Sequence, residues 1–225
     1  MARELTVERL GRVPYAEALE LQMKRVEAVR TGAAPDTLFL LEHPPVITLG
    51  RRADPAHVRL SAAALRARGV EVHAIARGGD VTWHGPGQLV GYLVCDLAAR
   101  GAADVHRFLR TLEAGLIDAL AELGLRAGRR EGYTGVFMQD TSSEPATPRK
   151  IASIGVGLRG WVTFHGFALN VTTALEEFAA IVPCGLTNVS MTSVARELGS
   201  AAPPAADLDA RALAAVVSAF QARLA

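Results

Sequence analysis

The stretch KIASIGVGLRGWVTFHGFALNV, Lys150 to Val171, decides how this sequence folds. Gly155, Gly157 and Gly160 within it spell G-x-G-x-x-G. A dinucleotide site would need a helix to open there, so that the pyrophosphate meets a helix N-terminus. The next residues are Trp161-Val-Thr-Phe, aromatic and β-branched, which favour a strand. The glycines therefore read as a hairpin turn, with Ile151–Leu158 and Trp161–Val171 as the strands of a β-hairpin.

Outward from that hairpin, strands cluster in the middle of the chain and helices flank them. Pro14 suits a first helical turn, and Tyr15–Arg30 reads as a helix stopped by Gly32. Thr37–Glu42 and Val46–Leu49 read as strands around His43-Pro44-Pro45. Ser61 can cap a short helix ending at Gly69, and Val70–Ala76 alternates like a strand. Val81–Trp83 and Gln88–Leu97 are β-like, joined by the turn His84-Gly85-Pro86-Gly87. Asp104 can cap a long helix to Leu123. Tyr133–Met138 reads as a strand, Gln139–Arg149 as an exposed loop, Leu175–Ala180 as a short helix, and Asp207 as the cap of a terminal helix. Strands and helices do not strictly alternate, so the class is α+β with a mixed sheet rather than a doubly wound one.

Composition bounds the rest. The chain has 225 residues, half of them hydrophobic, with a formal net charge of +1. That suffices for one domain with a sizeable core, 1–225, and excludes disorder. Near-neutral charge offers no general case for nucleic acid or a membrane surface. Met1–Leu10 lacks the apolar run of a secretory signal, and two cysteines make no disulfide framework, so a cytoplasmic protein is expected. Walker-type and G-x-S-x-G motifs are absent, and His and Cys show no short paired spacing, so no metal is expected.

Two residue types are scarce: the cysteines Cys95 and Cys184, and the lysines Lys24 and Lys150 among 24 basic residues. Cys95, in Leu93-Val-Cys-Asp-Leu97, reads as a core filler. Cys184 lies between Pro183 and Gly185, on an irregular turn that can present sulfur to a cleft. A nucleophilic thiol needs a cationic neighbour, because the thiolate is the reactive form, and Lys150 is a candidate. A solvated strand end is the commoner fate of a lysine. Arg77-Gly-Gly-Asp-Val-Thr-Trp-His84-Gly-Pro-Gly87-Gln88 fits either a ligand-approaching loop or a tight turn with an exposed arginine and a packed tryptophan. Phe164–Asn170 sets His165 and Asn170 around an apolar strand.

Taken together, Arg77–Gln88, Lys150–Val156, Trp161–Val171 and Pro183–Leu186 resemble the lipoyl(octanoyl) transferase family, and Glu42–Gly50 fits the same pattern. The likeness runs in order from about residue 38 to 195. Trp83 stands where that family usually has tyrosine, Phe137 where it usually has tryptophan, and the Gln139–Arg149 loop is longer than typical. The resemblance implies a fold shared with biotin and lipoate protein ligases: a large mixed sheet with helices on one side, plus a smaller sheet. It implies Cys184 as acyl-carrying nucleophile and Lys150 as its activator and proton shuttle. Arg77, Gly78, Gly79, Asp80, Val81, Thr82, Trp83 and His84, then Ser153, Ile154 and Gly155, then Gly166, Phe167 and Ala168, would wall the acyl pocket. Backbone N–H groups of Cys184-Gly185-Leu186 would be the oxyanion donors. Octanoyl would pass from octanoyl-acyl carrier protein to a lysine of apo lipoyl domains of 2-oxoacid dehydrogenases and of the glycine cleavage H protein. The implied enzyme is a monomer without cofactor, metal, nucleic acid or membrane partner. Two other readings stand beside it: an ATP-dependent lipoate or biotin protein ligase, and a catalytically idle acyl-binding protein. Arg51, Arg52, Arg129 and Arg130 would be either a docking surface or dispersed solvated charges.

Overall fold

The computed structural model describes residues 5–139, 147–186 and 188–224. The expected Gln139–Arg149 loop therefore falls largely outside the described residues, as does Thr187. In chain order the elements are β1 (Leu5–Arg12), α1 (Tyr15–Arg30), β2 (Asp36–Glu42), β3 (Val46–Leu49), α2 (Ala62–Ala67), β4 (Glu71–Ala74), β5 (Val81–His84), β6 (Gln88–Val94) and α3 (Val105–Glu122). After α3 come β7 (Ala127–Gly128), β8 (Val136–Met138), β9 (Arg149–Arg159), β10 (Val162–Asn170), β11 (Ser190–Met191), α4 (Val194–Leu198) and α5 (Ala205–Leu224).

The large sheet runs β1-β2-β6-β10-β9-β8-β7, with β11 also on β9. It is mixed: β1 pairs parallel with β2 and β11 with β9, and the other ladders are antiparallel. The small sheet runs β4-β3-β5. The β9–β10 hairpin turns on Gly160 and Trp161 between the paired residues Arg159 and Val162. Both turn residues have positive φ, 58° and 64°. A two-residue turn of that hand matches the strand twist. Gly155 and Gly157 lie inside β9, so no helix opens on the G-x-G-x-x-G run.

Alternation along each strand feeds two cores, one per face. On one face Leu38, Leu40, Leu89, Leu93, Phe167 and Leu169 pack with Leu112, Leu116 and Leu120 of α3 and Val216 and Phe220 of α5. On the other, Phe39, Leu41, Val90, Tyr92 and Val94 pack with Ala18, Val26 and Val29 of α1. Helices thus cover both faces of the large sheet, not one. The reason is that β2 and β6 are buried at nearly every position, with apolar side chains on both sides: Leu38 and Leu40 against Phe39 and Leu41 in β2, and Leu89 and Leu93 against Val90, Tyr92 and Val94 in β6. Each fully buried leucine contributes roughly 2 kcal/mol, so neither face could be left wet. A third cluster, with Ile47, Leu65, Val81, Trp83 and Phe178, backs the small sheet.

Local signals hold where capping chemistry is explicit. The Ser61 hydroxyl accepts from Ala64 N at 3.2 Å and the Asp104 carboxylate from Arg107 N at 3.0 Å. Asp207 is not a cap: α5 begins two residues earlier, after Pro203-Pro204, and Asp207 sits in its first turn. Leu175–Ala180 is a 3-10 rather than an α-helix. No described helix is long and apolar enough to cross a membrane.

Candidate active site

A cavity of about 420 Å³ opens between the two sheets. Its floor is β9 and β10, through Ser153, Ile154, Gly155, Gly166, Phe167 and Ala168. Thr82 and His84 of β5 and Arg77, Gly79 and Asp80 of the preceding loop form a wall, and Lys150 and Cys184 stand at one side. Three expected wall residues lie elsewhere. Val81 and Trp83 point into the small-sheet core, where Trp83 meets Phe178 edge to face at 5.4 Å. Successive residues of a strand face opposite ways, so β5 can offer the cavity only Thr82 and His84. Gly78 is not at the cavity surface; its amide donates to Val156 O at 2.9 Å and ties the loop to β9. Leu169 belongs to the core beneath.

Cys184 lies in the 3-10 turn Pro183–Gly185 at φ 57°, ψ 18°, a left-handed conformation costly for a residue with a Cβ. Surrounding bonds hold it there. The amides of Gly185 and Leu186 donate to Val182 O and Pro183 O, both at 3.0 Å, and Val182 N donates to His57 O at 2.8 Å. Two of the three amides expected as oxyanion donors are thereby engaged in making the turn. Gly185 has φ 68°, and a Cβ there would fall 2.5 Å from Asp80 Oδ2.

Lys150 is buried on β9, and its Nζ donates to Cys184 Sγ at 3.4 Å. The same ammonium lies 5.5 Å from the Phe137 ring centroid, over a π face that favours a cation. Gly135 leaves room for it: a Cβ there would fall 2.8 Å from Lys150 Cε. The Gly135 amide is in turn held at 3.2 Å by Glu113 Oε1. That buried carboxylate also pairs with Arg110 and Arg129 at 2.6 and 2.9 Å. Arg129 is therefore committed to α3, Arg130 lies over the Tyr133 ring, and Arg52 lines the cavity.

Arg77 is a second buried cation. Its Nη2 donates to Thr48 O and Oγ1 at 2.9 and 3.0 Å, and its Nη1 to Gly78 O at 3.0 Å. Burial draws its pKa down, and the Cys184 sulfur opposes that. Gly155 makes the space: a Cβ there would fall 3.0 Å from Arg77 Cδ.

Neutral polar groups complete the cavity. His84 Nδ1 donates to Gln88 Oε1 at 2.7 Å, and Gln88 Nε2 donates to Asn170 Oδ1 at 2.9 Å. Asn170 Nδ2 continues to Thr192 O at 2.9 Å, and Thr192 N donates to Lys150 O at 2.9 Å. This chain ties β5 to the strand carrying Lys150. Burial pushes His84 down to about 3, so its Nε2 stays unprotonated. Behind the wall, His43 Nδ1 donates to Val13 O at 2.7 Å and Tyr92 Oη donates to His43 Nε2 at 2.6 Å. Desolvation holds His43 at about 4. His165, at φ 59°, is pushed to about 3 by burial, and its Nε2 has no hydrogen-bond partner among the described residues.

Tyr15, Tyr92, Tyr133 and His165 line the cavity without having been singled out as site residues in the sequence. Tyr15 and Tyr92 arrive from α1 and β6, far along the chain, and only His165 carried a local cue, a polar residue within an apolar strand. Cys95 is the opposite case to Cys184: fully buried, 3.4 Å from Thr163 Oγ1, with burial pushing its thiol up to about 12.

The lipoyl protein ligase A/B catalytic domain matches residues 14–217. The chain belongs to that family. Within it, an octanoyltransferase of Geobacter sulfurreducens is 49% identical over 192 residues, 85% of this chain and 75% of that one. An octanoyltransferase of Rubrobacter xylanophilus is 49% identical over 202 residues, 88% and 86% of the two chains. One of Chloroflexus aggregans is 44% identical over 222 residues, 98% and 97% of the two chains. Among solved structures, a bipartite lipoate protein ligase of Thermoplasma acidophilum superposes with TM-score 0.72 at 18% identity, covering 99% of this chain and 84% of that one. Lipoate-protein ligase A bound with ATP gives 0.68 at 17% identity, covering 100% and 86%. The family fold is thus the one described above.

Proposed function

We propose that this chain is an octanoyltransferase of protein lipoylation that carries the acyl group as a thioester on Cys184. The observation that carries the proposal is the 3.4 Å contact between Lys150 Nζ and Cys184 Sγ beside the cavity. The related octanoyltransferases support the reaction class, and the ligase-like fold alone would fit an ATP-dependent enzyme equally well.

In the first half, the Cys184 thiolate attacks the thioester carbonyl of octanoyl-acyl carrier protein. The C–S bond to the carrier breaks, and the Lys150 ammonium gives its proton to the departing thiolate. In the second, a lysine ε-amine of a lipoyl domain or of the glycine cleavage H protein attacks, the bond to Cys184 breaks, and Lys150 recovers a proton. Thioester exchange is nearly isoenergetic and amide formation runs downhill, so no nucleotide is needed. Arg77, fixed by Thr48 and facing the same sulfur, adds positive potential where negative charge develops. The apolar floor of β9 and β10 receives the chain, at about 0.8 kcal/mol per buried methylene. Action as a monomer in the cytoplasm belongs to the same reading.

Intact mass spectrometry with octanoyl-acyl carrier protein tests it. An octanoyl adduct on Cys184 that discharges onto an apo lipoyl domain is expected. An adduct on Cys95, none at all, or octanoyl-AMP formed from ATP and octanoate would overturn it.

A further inference from the structure

Amide formation releases more protons than Lys150 can take. The acceptor lysine arrives as an ammonium, since an ordinary lysine titrates near about 10.4. It loses one proton before attack and a second as the C–S bond breaks. Sulfur leaves as thiolate. Lys150, having protonated the carrier's sulfur, takes one proton back, and the other needs a second base. The histidines of the cavity are poor acceptors, because burial holds His84 and His165 at about 3 and His43, behind them, at about 4.

His57 is placed differently. It ends a 3-10 turn, Pro55–His57, and its carbonyl holds the nucleophile turn through Val182 N. Its ring lies against Gly185, next to Cys184: a Cβ on that glycine would fall 3.0 Å from His57 Cε1. Asp80 Oδ2 accepts from Nδ1 at 2.6 Å, which sets the tautomer and makes Nε2 the nitrogen that can take a proton. Asp80 is itself oriented by the amides of Asp54 and Val81 at 3.1 and 2.7 Å. The His57 side chain is 27% exposed, so a proton taken can pass to water. Two neighbours also act on Asp80: Asp54 through its amide and Arg77 through its charge.

We infer that His57, held by Asp80, takes the second proton of amide formation. The inference rests on the acyl-transfer reading and adds to it a base for the acceptor half alone. His57→Gln keeps a donor toward Asp80 and is the primary variant. Loading of Cys184 from octanoyl-acyl carrier protein should stay within about twofold of wild type, and transfer to the lipoyl-domain lysine should slow about 10²-fold. In His57→Ala, added imidazole should restore part of that rate. Hydroxylamine, neutral above pH 7, sheds one proton only, so its discharge of acylated His57→Gln should match wild type. Loss of both halves together, equal slowing with hydroxylamine, or unchanged lysine transfer would overturn the inference. A wild-type chain that never loads Cys184 removes the acyl-transfer reading itself, and is seen before any variant is compared.

Discussion

Acidification from pH 7 to 5.5 should cost this protein about 4 kcal/mol of folding stability, through three histidines buried in neutral form. His43, His84 and His165 are held at about 4, 3 and 3, chiefly by desolvation of the charged ring. An unfolded histidine titrates near about 6.5, so below that pH the unfolded chain binds protons that the folded chain refuses. Their contribution is therefore complete above the unfolded value and is lost as pH falls below it, until the folded values are reached. Between pH 7 and 5.5 the three together lose about 4 kcal/mol, a large share of a typical 5–15 kcal/mol. Urea unfolding followed by circular dichroism at the two pH values measures the difference. His165→Asn is the informative variant, because asparagine tolerates the left-handed φ of 59° and does not titrate there. It should reduce the pH dependence by about one third. Equal stability at both pH values, or an unchanged slope in His165→Asn, would refute the argument.

Three further outcomes are expected at the site. Cys184→Ala should abolish the acyl adduct and slow transfer by about 10³-fold or more while leaving the thermal midpoint near wild type, and near-normal transfer by Cys184→Ser would count against a covalent intermediate. Lys150→Met should slow iodoacetamide alkylation of Cys184 at pH 7, since the ammonium 3.4 Å away is gone; an unchanged rate removes Lys150 as activator. Gly185→Ala adds a Cβ 2.5 Å from Asp80 Oδ2 at φ 68°, so the nucleophile turn must shift. Acyl loading should fall about 10²-fold with the fold retained, and loading at the wild-type rate would show that the turn tolerates displacement.

What was legible in the sequence was what short-range chemistry dictates. Helix α1 follows from Pro14 and Gly32, and α2 and α3 from their Ser61 and Asp104 caps. The β9–β10 hairpin follows from Gly160 and the β-branched run after it. Strand β1 was not legible, because Leu5–Arg12 carries Glu8, Arg9 and Arg12 and owes its extension to parallel pairing with β2 rather than to its own pattern. A cap at Asp207 would start the terminal helix three residues late, because Asp207 is a good cap wherever a helix starts, whereas Pro203-Pro204 set the start at Ala205. Helices on both faces follow from the double burial of β2 and β6, which an apolar run alone does not distinguish from a one-sided core. At the site, Cys184 and Lys150 were visible through scarcity and motif, and Arg77, Thr82 and His84 through one loop and strand. Val81 and Trp83 belong to the same motif but face away. Tyr15 and Tyr92 reach the cavity, and His57 the nucleophile turn, by tertiary contact only.

The order of strands in the large sheet sets a schedule for synthesis. Its middle strand, β10, comes after every other strand of the main path, and its partners β6 and β9 flank it on either side. Until the ribosome passes Asn170, both partners present open apolar edges, the kind that attract other chains. One insertion closes both edges at once. Cys184 lies beyond Asn170 in the chain, so the thiol leaves the ribosome only after the strand that completes the sheet beneath it. A nascent chain stopped before Val162 would be prone to aggregate and would carry no nucleophile. Completion of the sheet and arming of the thiol are thus late events of the same translation, in that order.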